Sequence, residues 1–359
     1  MRIPTPIQAL SATALVLLAG CSGGSTIAPK SFTPQSHMRS LMGRIPAAVS
    51  PIGMLKVNMR TGNHFKSFNA CPAIGPLTYI SDFNNSVIDI YLGPFANQAP
   101  CAVLTSVNGL VNPQGMFVRM PSRRLYVANT GANNVVVYPR GGSLAPIQTL
   151  IDPTGQYPVD VTVASDGTVI ASNIFSTVGA AGSISTWHTN GAFVGNFPMV
   201  NDLEGLFVTV QALGLRLFYS DIDATSGAGV VYKGSCPAGA CGAFLPTPAT
   251  TNTVFPGGLR SRNADTRLIQ FDQSAGPGGV RLRYNDIPPP FPPLAPCNVN
   301  GGDPVGFDMN GPANTIFYAD AALNVGAEMT FNCLPIGVPV VGNAGGLPIG
   351  AAHDIPEPL

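Results

Sequence analysis

A pattern of short apolar blocks followed by alternating segments recurs along most of the chain. Each copy has two or three apolar residues, an Asp or Asn, a short polar gap and an alternating segment that often ends in Tyr. The apolar residues do not recur every 3.6 residues, so the pattern predicts β-hairpins and excludes a helical repeat. The six copies are Leu77 to Asp82 with Val87 to Tyr91, Leu125 to Asn129 with Val135 to Tyr138, Val169 to Asn173 with Ser183 to Trp187, Leu217 to Asp221 with Gly229 to Tyr232, Leu268 to Asp272 with Val280 to Tyr284, and Ile316 to Asp320 with Ala327 to Phe331.

The spacing of these copies indicates the size of the repeating unit. The Asp or Asn stands at positions 82, 129, 173, 221, 272 and 320, which gives steps of 47, 44, 48, 51 and 48 residues. Four short strands with their turns fill about 40 to 50 residues, the length of one β-propeller blade. The period therefore predicts six blades of four strands each.

A second signature, Pro-x-Gly or a relative of it, precedes each hairpin and predicts the innermost strand of the blade. For the first blade we expect this strand at the C-terminus, in Pro348 to Ala352, rather than in the similar segment Pro51 to Leu55. Gly53 lies 29 residues before Asp82, whereas the other spacings are near 14, and a C-terminal strand would also protect the exposed sheet edges. The other copies are Pro113 to Val118, Pro158 to Val161, Leu203 to Val208, Pro256 to Leu259, and Pro304 to Phe307.

The repeat resembles that of bacterial six-bladed propellers of the NHL-like kind, whose blades are similar to Leu125-Tyr-Val-Ala-Asn129 followed by Val135-Val-Val-Tyr138. The resemblance covers residues 70 to 355. It implies an all-β, six-bladed propeller of four-stranded antiparallel blades, closed into a ring by a C-terminal strand. It implies little about activity, because such propellers serve as binding platforms, scaffolds and a few enzymes.

The N-terminus carries an export signal. Arg2 is followed by a mostly apolar stretch at residues 7–18 that is too short and too often interrupted by polar residues to span a bilayer. It ends in Leu18-Ala-Gly-Cys21, which resembles the lipobox of bacterial lipoproteins. The resemblance implies cleavage before Cys21, lipidation of its thiol with a palmitate-type acyl chain, and attachment to the bilayer of the cell envelope. Ser22 in place of Asp implies the outer membrane if the cell has one.

These features divide the chain into a signal peptide at residues 1–20, a Ser-, Pro- and Gly-rich tether at 21–65, and a propeller at 66–359.

Charged residues make up only 10% of the chain, 18 basic residues balance 18 acidic ones, and like charges do not cluster. Nucleic acid is therefore not an expected partner.

Six cysteines besides Cys21 form an even set, which predicts disulfides in an oxidising compartment. Cys236 and Cys241 enclose a short turn and are expected to pair. For the others we expect Cys71 with Cys101 and Cys297 with Cys333, although six cysteines allow several connectivities. Zinc is disfavoured because no Cys-x-x-Cys pair occurs.

Several repeated residue types have a structural explanation that we prefer to a catalytic one. A short polar side chain at the end of a strand can cap the next turn by forming a hydrogen bond with the backbone two residues further along the chain. Aromatic residues at equivalent strand positions, Tyr79, Tyr126, Tyr219 and Phe317, are expected to pack between blades. His353, beside Asp354, could transfer protons, but a satisfied structural histidine is the favoured interpretation. The residues expected to cap turns are Asp82, Asn129, Asn173, Asp221, Asp272 and Asp320.

A hydrolase is the alternative function. Lactonase-type propellers hold a divalent cation with side chains that enter the central channel just before the inner strands, which would here mean calcium bound by Gln114 and Glu204. Glu204 and Asp202 would be the catalytic residues of a lactonase or esterase, with Asp160 and Asp303 close by. The other middle positions are apolar or glycine: Val159, Gly257, Val305 and Ile349.

Because only two of these middle positions carry plausible ligands, an apolar channel mouth is expected. The favoured function is therefore a membrane-anchored, non-enzymatic binding or scaffold propeller without a cofactor. Its partner would be a protein, a peptide or a glycan bound at one propeller face.

Overall fold

The computed structural model describes thirteen segments of the chain: residues 71–72, 74–93, 98–141, 145–174, 182–199, 209–222, 229–246, 256–262, 267–276, 279–286, 297–299, 304–310 and 315–354. The signal peptide, Cys21 and the tether predicted from the sequence lie outside them, as do Asp202, Asp303 and Glu204. Within the described segments, no helix is long and apolar enough to cross a membrane.

The described secondary structure consists of strands and three single-turn 3₁₀ helices. The 3₁₀ helices are Ser106–Asn108, Thr130–Ala132 and Pro237–Gly239. The strands are, in chain order, β1 (Leu77–Asp82), β2 (Val87–Leu92), β3 (Ala102–Leu104), β4 (Pro113–Arg119), β5 (Arg124–Asn129), β6 (Asn134–Tyr138), β7 (Gln148–Ile151), β8 (Tyr157–Val163), β9 (Val169–Ile174), β10 (Ser183–Trp187), β11 (Phe193–Pro198), β12 (Thr209–Leu213), β13 (Arg216–Ile222), β14 (Gly229–Ser235), β15 (Leu245–Pro246), β16 (Pro256–Arg262), β17 (Arg267–Gly276), β18 (Gly279–Asp286), β19 (Cys297–Val299), β20 (Pro304–Asn310), β21 (Thr315–Asp320), β22 (Val325–Thr330), β23 (Pro335–Val341) and β24 (Pro348–His353).

These strands form six four-stranded antiparallel sheets, and the molecule is an all-β propeller built from such sheets. In five sheets the strands follow one another in chain order, from β4 to β7, β8 to β11, β12 to β15, β16 to β19, and β20 to β23. The remaining sheet has the order β24-β1-β2-β3. Each hairpin that the sequence pattern predicts is present as an antiparallel strand pair.

The C-terminal strand β24 pairs with β1, with Ala352 opposite Tyr79. The prediction that Pro348 to Ala352 supplies the innermost strand of the first sheet is therefore confirmed. The rival segment, residues 51–55, lies outside the described residues.

The Pro-x-Gly signature marks a β-bulge near the start of an inner strand. The pairing register shifts between Pro113 and Met116 in β4, and equivalent shifts occur in β8, β16 and β20. Glycine is required at two of these positions because neighbouring inner strands approach very closely. A Cβ atom on Gly350 would lie 2.1 Å from the carbonyl oxygen of Gln114, and one on Gly306 would lie 2.4 Å from that of Ile349.

The predicted fourth inner strand, Leu203 to Val208, lies outside the described residues. The described inner strand of that sheet is β12, in which Thr209 holds the register position that Gly115 holds in β4. The turn after the inner strand has two residues in the β12–β13 hairpin and four in the β4–β5 hairpin.

Aromatic side chains fill the space between neighbouring sheets, as predicted. Tyr79, Tyr126, Tyr219 and Phe317 are all at most 2% exposed. Tyr79 packs with Leu125 and other apolar residues of the next sheet. Burial of one such side chain contributes about 1.5 to 3 kcal/mol to stability, so these contacts hold the sheets together.

The predicted disulfides Cys71–Cys101 and Cys236–Cys241 are confirmed. Cys333 is also disulfide-bonded. Its pairing with Cys297 stays a prediction, because the Cys297 side chain lies outside the description. Disulfides persist in oxidising compartments, so these bonds suggest an extracytoplasmic environment.

Two of the repeated residues, Asp82 and Asp320, hold turns, but they accept from backbone N–H groups three residues on, not two, at 3.2 and 2.9 Å. The prediction is wrong for Asn129, which makes no side-chain cap bond, and for Asn173, whose amide donates to the Ser183 and Ser185 hydroxyls on the neighbouring strand. Asp82 and Asn129 also bind the loops that lead into the inner strands β24 and β4, through the N–H groups of Leu347 (2.9 Å) and Val111 (2.6 Å). The side chains of Asp221 and Asp272 lie outside the described residues.

Candidate binding site at the channel mouth

A small cavity lies among the six innermost strands, near their N-terminal ends. Each of β4, β8, β12, β16, β20 and β24 contributes residues to its wall. Its volume of about 30 Å³ has room for about two water molecules. We call it the axial cavity.

The wall of the axial cavity is mostly apolar or glycine, in line with the expected apolar mouth. Val159, Val305 and Ile349 contribute side chains, and five glycines expose backbone instead. Gln114, one of the two metal ligands considered from the sequence, lies in this wall and is buried. None of the described wall residues is aromatic.

The floor of the axial cavity is formed by a buried ion pair. Arg260 Nη1 lies 3.2 Å from Asp160 Oδ2, and the two residues are 5% and 3% exposed. Arg260 also donates from Nη2 to the carbonyl oxygen of Met116, at 2.9 Å. Arg260 lies on β16, Met116 on β4 and Asp160 on β8, so a single guanidinium joins three sheets across the axis.

A second carboxyl group lies close to this pair. Asp308, on β20, accepts a hydrogen bond from the backbone N–H of His353 at 2.8 Å. Burial raises the pKa of Asp308 and of Asp160, and the Arg260 guanidinium opposes the rise in both. One cation thus faces two carboxyl groups, of which Asp160 is buried and Asp308 is half-buried.

Side chains near the axis also satisfy backbone groups at the unpaired edges of the inner strands. Asp160 Oδ2 accepts from the N–H of Val210 at 3.2 Å, and Thr162 Oγ1 accepts from that of Ala212 at 3.1 Å. A buried N–H without a partner is costly, so these bonds explain much of the polarity at the axis. They do not account for Asp160 Oδ1 and Gln211 Oε1, which are buried and make no hydrogen bond within the described structure.

His353 and Asp354 do not form a proton-transfer pair. The His353 ring lies 3.0 Å from the Thr78 hydroxyl through Nδ1, and burial lowers its pKa to about 3, so it is neutral at physiological pH. Asp354 instead binds Arg140 and Arg123, at 2.8 and 3.0 Å. The favoured structural interpretation of His353 therefore agrees with its environment.

The metal and catalytic alternatives rest mainly on residues outside the description. Glu204 and Asp202 belong to that part, and only Gln114 and Asp160 can be placed at the cavity. Among the described residues, no group of three His, Cys, Asp or Glu side chains could hold a metal ion.

Arg260, Asp308 and Gln211 are not among the candidates predicted from the sequence. Those candidates centre on the middle residue of each Pro-x-Gly segment, whereas these three side chains stand three register positions further along the inner strands. A signal was present, because an Arg and an Asp in short strands that are otherwise apolar or small are unusual. The full set at this position is Phe117, Thr162, Gln211, Arg260, Asp308 and Ala352.

Comparison with known proteins identifies the fold and nothing finer. No family model and no curated protein matches the chain. Among solved structures, a chain of a nidogen/laminin complex has a TM-score of 0.57 at 12% identity, covering 79% of this chain and all of that one. A protein of unknown function from Bacteroides caccae has a TM-score of 0.53 at 7% identity, covering 78% and 99%. At such low identities these likenesses support the β-propeller fold alone.

Proposed function

We propose that this chain is a lipid-anchored, extracytoplasmic propeller that binds a partner protein or peptide at the face that carries the axial cavity, without enzymatic activity. The six sheets are its six NHL-like blades, and β24 closes them into one ring. The observation that carries the proposal is the axial cavity itself, an apolar recess on the axis to which every inner strand contributes.

Two further observations favour a protein or peptide over a glycan. Apolar recesses accept single aliphatic side chains or alkyl stems, whereas sugar-binding surfaces stack the ring on an aromatic side chain, and the described wall has none. The loops that lead into β4 and β24 are fixed by Asn129 and Asp82, so this part of the face is ordered before a ligand arrives. The hydrolase alternative, with calcium, Glu204 and Asp202, has no observation in its favour.

Binding is tested by selecting ligands from a random-peptide display library against the mature chain with Cys21 replaced by Ser. The selected peptides are then measured against Val305→Met, which narrows the cavity mouth. The matched control is Val338→Met, the same change at an exposed position on β23, the outermost strand of the same sheet. We expect Val305→Met to weaken binding about tenfold or more, or about 1.4 kcal/mol, and Val338→Met to leave it unchanged.

Peptides that bind both variants as tightly as the parent chain would contradict a site at the axial cavity. Selection of glycans but no peptides from parallel libraries would replace the proposed partner class.

Anchoring is proposed from Leu18-Ala-Gly-Cys21 and is supported by the disulfides, which fit an exported protein. Several acyl chains on one cysteine would hold the protein on the bilayer far more firmly than a single myristoyl chain does. Expressed in a bacterium that is fed radiolabelled palmitate, the full chain should incorporate label and partition into detergent. Cys21→Ser should do neither. Equal labelling of both, or a mature protein that starts elsewhere than residue 21, would overturn the anchor.

A further inference from the structure

A wall residue of the axial cavity carries a buried carboxylate oxygen that lacks a hydrogen-bond partner in the described structure. Asp160 lines the cavity and is 3% exposed, and its Oδ2 accepts from Arg260 and from the N–H of Val210. Its Oδ1 makes no hydrogen bond in the described structure. That oxygen lies against Gly115, another wall residue, only 2.2 Å from where a Cβ on Gly115 would stand. A buried carboxylate oxygen favours a donor strongly, so the cavity is short of one N–H or O–H group.

Two carboxyl groups, those of Asp160 and Asp308, face a single guanidinium near the axial cavity. That guanidinium is already engaged with Asp160 Oδ2 and the carbonyl oxygens of Met116 and Leu259. Because burial raises the pKa of both carboxyl groups, a cationic donor that enters the cavity would favour the ionised form of Asp160 and supply the missing hydrogen bond, whereas an anion would be repelled by that form.

The dimensions of the axial cavity restrict the size of that cation. A cavity with room for about two water molecules can hold an ammonium group and its first methylene. It is too small for a planar guanidinium or a quaternary ammonium group. The apolar wall formed by Val159, Val305 and Ile349 suits an unbranched alkyl stem, such as that of a lysine side chain.

We propose that the axial cavity binds a primary ammonium group on an unbranched alkyl stem, as presented by a lysine side chain of the partner, and that this ammonium donates to Asp160 Oδ1. The inference rests on the proposed binding function and specifies the chemistry that the cavity recognises. The competing occupant is water alone.

The probe is n-butylammonium chloride, which reproduces the end of a lysine side chain, and 1-butanol is the neutral analogue of the same length. Both are titrated into the ¹⁵N-labelled mature chain carrying Cys21→Ser. The backbone amide signals of Gly115, Gly306 and Gly350 report on the cavity wall. We expect saturable shifts with butylammonium, with a dissociation constant of about millimolar for so small a ligand, and no saturable shift with butanol.

Asp160→Asn should weaken butylammonium binding about tenfold or more, because the charge facing the ammonium is lost. Asp89→Asn, the same change at a buried carboxyl group away from the cavity, should leave binding unchanged. Since Asp160→Asn also disturbs the pair with Arg260 and folding of that variant is at risk, Val305→Met provides a second test. It enlarges a side chain of the cavity wall, leaves Asp160 and Arg260 in place, and should abolish the shifts.

Equal responses to butylammonium and butanol, the absence of saturation, or unchanged binding by Asp160→Asn would each overturn the inference and leave water as the occupant. If butylammonium does not bind but Val305→Met still weakens binding of the selected peptides, only the ammonium proposal is contradicted. If Val305→Met has no effect on the peptides either, the proposed binding face is lost as well.

Discussion

Replacing Arg260 by Met should lower the free energy of unfolding by about 3 to 5 kcal/mol, because it leaves the buried carboxyl group of Asp160 without its cation. Asp160 and Asp308 both face this guanidinium, and Met116 would lose the donor to its carbonyl oxygen. Met has a similar length and keeps the apolar packing of the stem, so the loss reports mainly on charge and hydrogen bonding. Urea denaturation at pH 7, followed by tryptophan fluorescence and circular dichroism, measures it.

A double-mutant cycle separates the ion pair from other effects of the substitution. Once Asp160→Asn has removed the charge, Arg260→Met no longer leaves that carboxylate unpaired, so the double variant should be more stable than the sum of the two single losses predicts. Additive losses would mean that Arg260 acts through packing rather than through Asp160. A loss below about 1 kcal/mol in Arg260→Met would mean that water already solvates the axis.

The hairpins could be predicted from sequence because their determinants are local. Leu125 to Asn129 and Val135 to Tyr138 are short runs rich in β-branched and aromatic residues and are joined by a short polar turn, so no knowledge of distant residues is needed. The inner strand β24 of the first sheet could be predicted as well, because a repeat that lacks its inner strand at one end of the chain must find one at the other.

The composition of the site could not be predicted in the same way, because it depends on register between sheets. Arg260 meets Asp160 across 100 residues of chain and Met116 across 144. Which residue of an inner strand reaches the axis depends on the bulge in each Pro-x-Gly segment and on the length of the next turn. Gln211 was missed because it stands in β12 beyond the segment in which the signature was recognised.

The loop before β24 depends on two acidic residues that local patterns also fail to explain. The amide of Asn343 donates to Asp89 at 3.1 Å, and Asp82 accepts from the N–H of Leu347 at 2.9 Å. Both carboxyl groups are buried. Burial and the nearby Asp82 raise the pKa of Asp89 to about 7, against the opposing hydrogen bond from Asn343.

We therefore expect the free energy of unfolding to fall as the pH rises, and this is the second large effect. Because the folded-state pKa of Asp89 (about 7) lies above its ordinary value of 3.8, the folded state holds this proton more tightly than the unfolded state does. The contribution of Asp89 is most favourable below pH 4 and is lost as the pH rises to 7, by up to about 4 kcal/mol for three pKa units.

Asp89→Asn removes this titration while it keeps an oxygen that can accept from Asn343. It should raise the urea midpoint at pH 8, change it little at pH 4.5, and flatten the profile between the two. Asp166→Asn is the control of opposite sign. Partial burial of Asp166 favours the neutral acid, but hydrogen bonds from the N–H groups of Thr168 and Ala238 outweigh it and hold the pKa below its usual value.

Asp166→Asn should consequently lower stability at neutral pH and have less effect as the pH falls. If Asp89→Asn destabilises the chain equally at pH 4.5 and pH 8, Asp89 serves only as a hydrogen-bond acceptor for the loop before β24, and the pH dependence arises elsewhere. A gain confined to high pH would instead show that the ionised form of Asp89 reduces the stability of this junction, as expected for a buried charge that is not compensated.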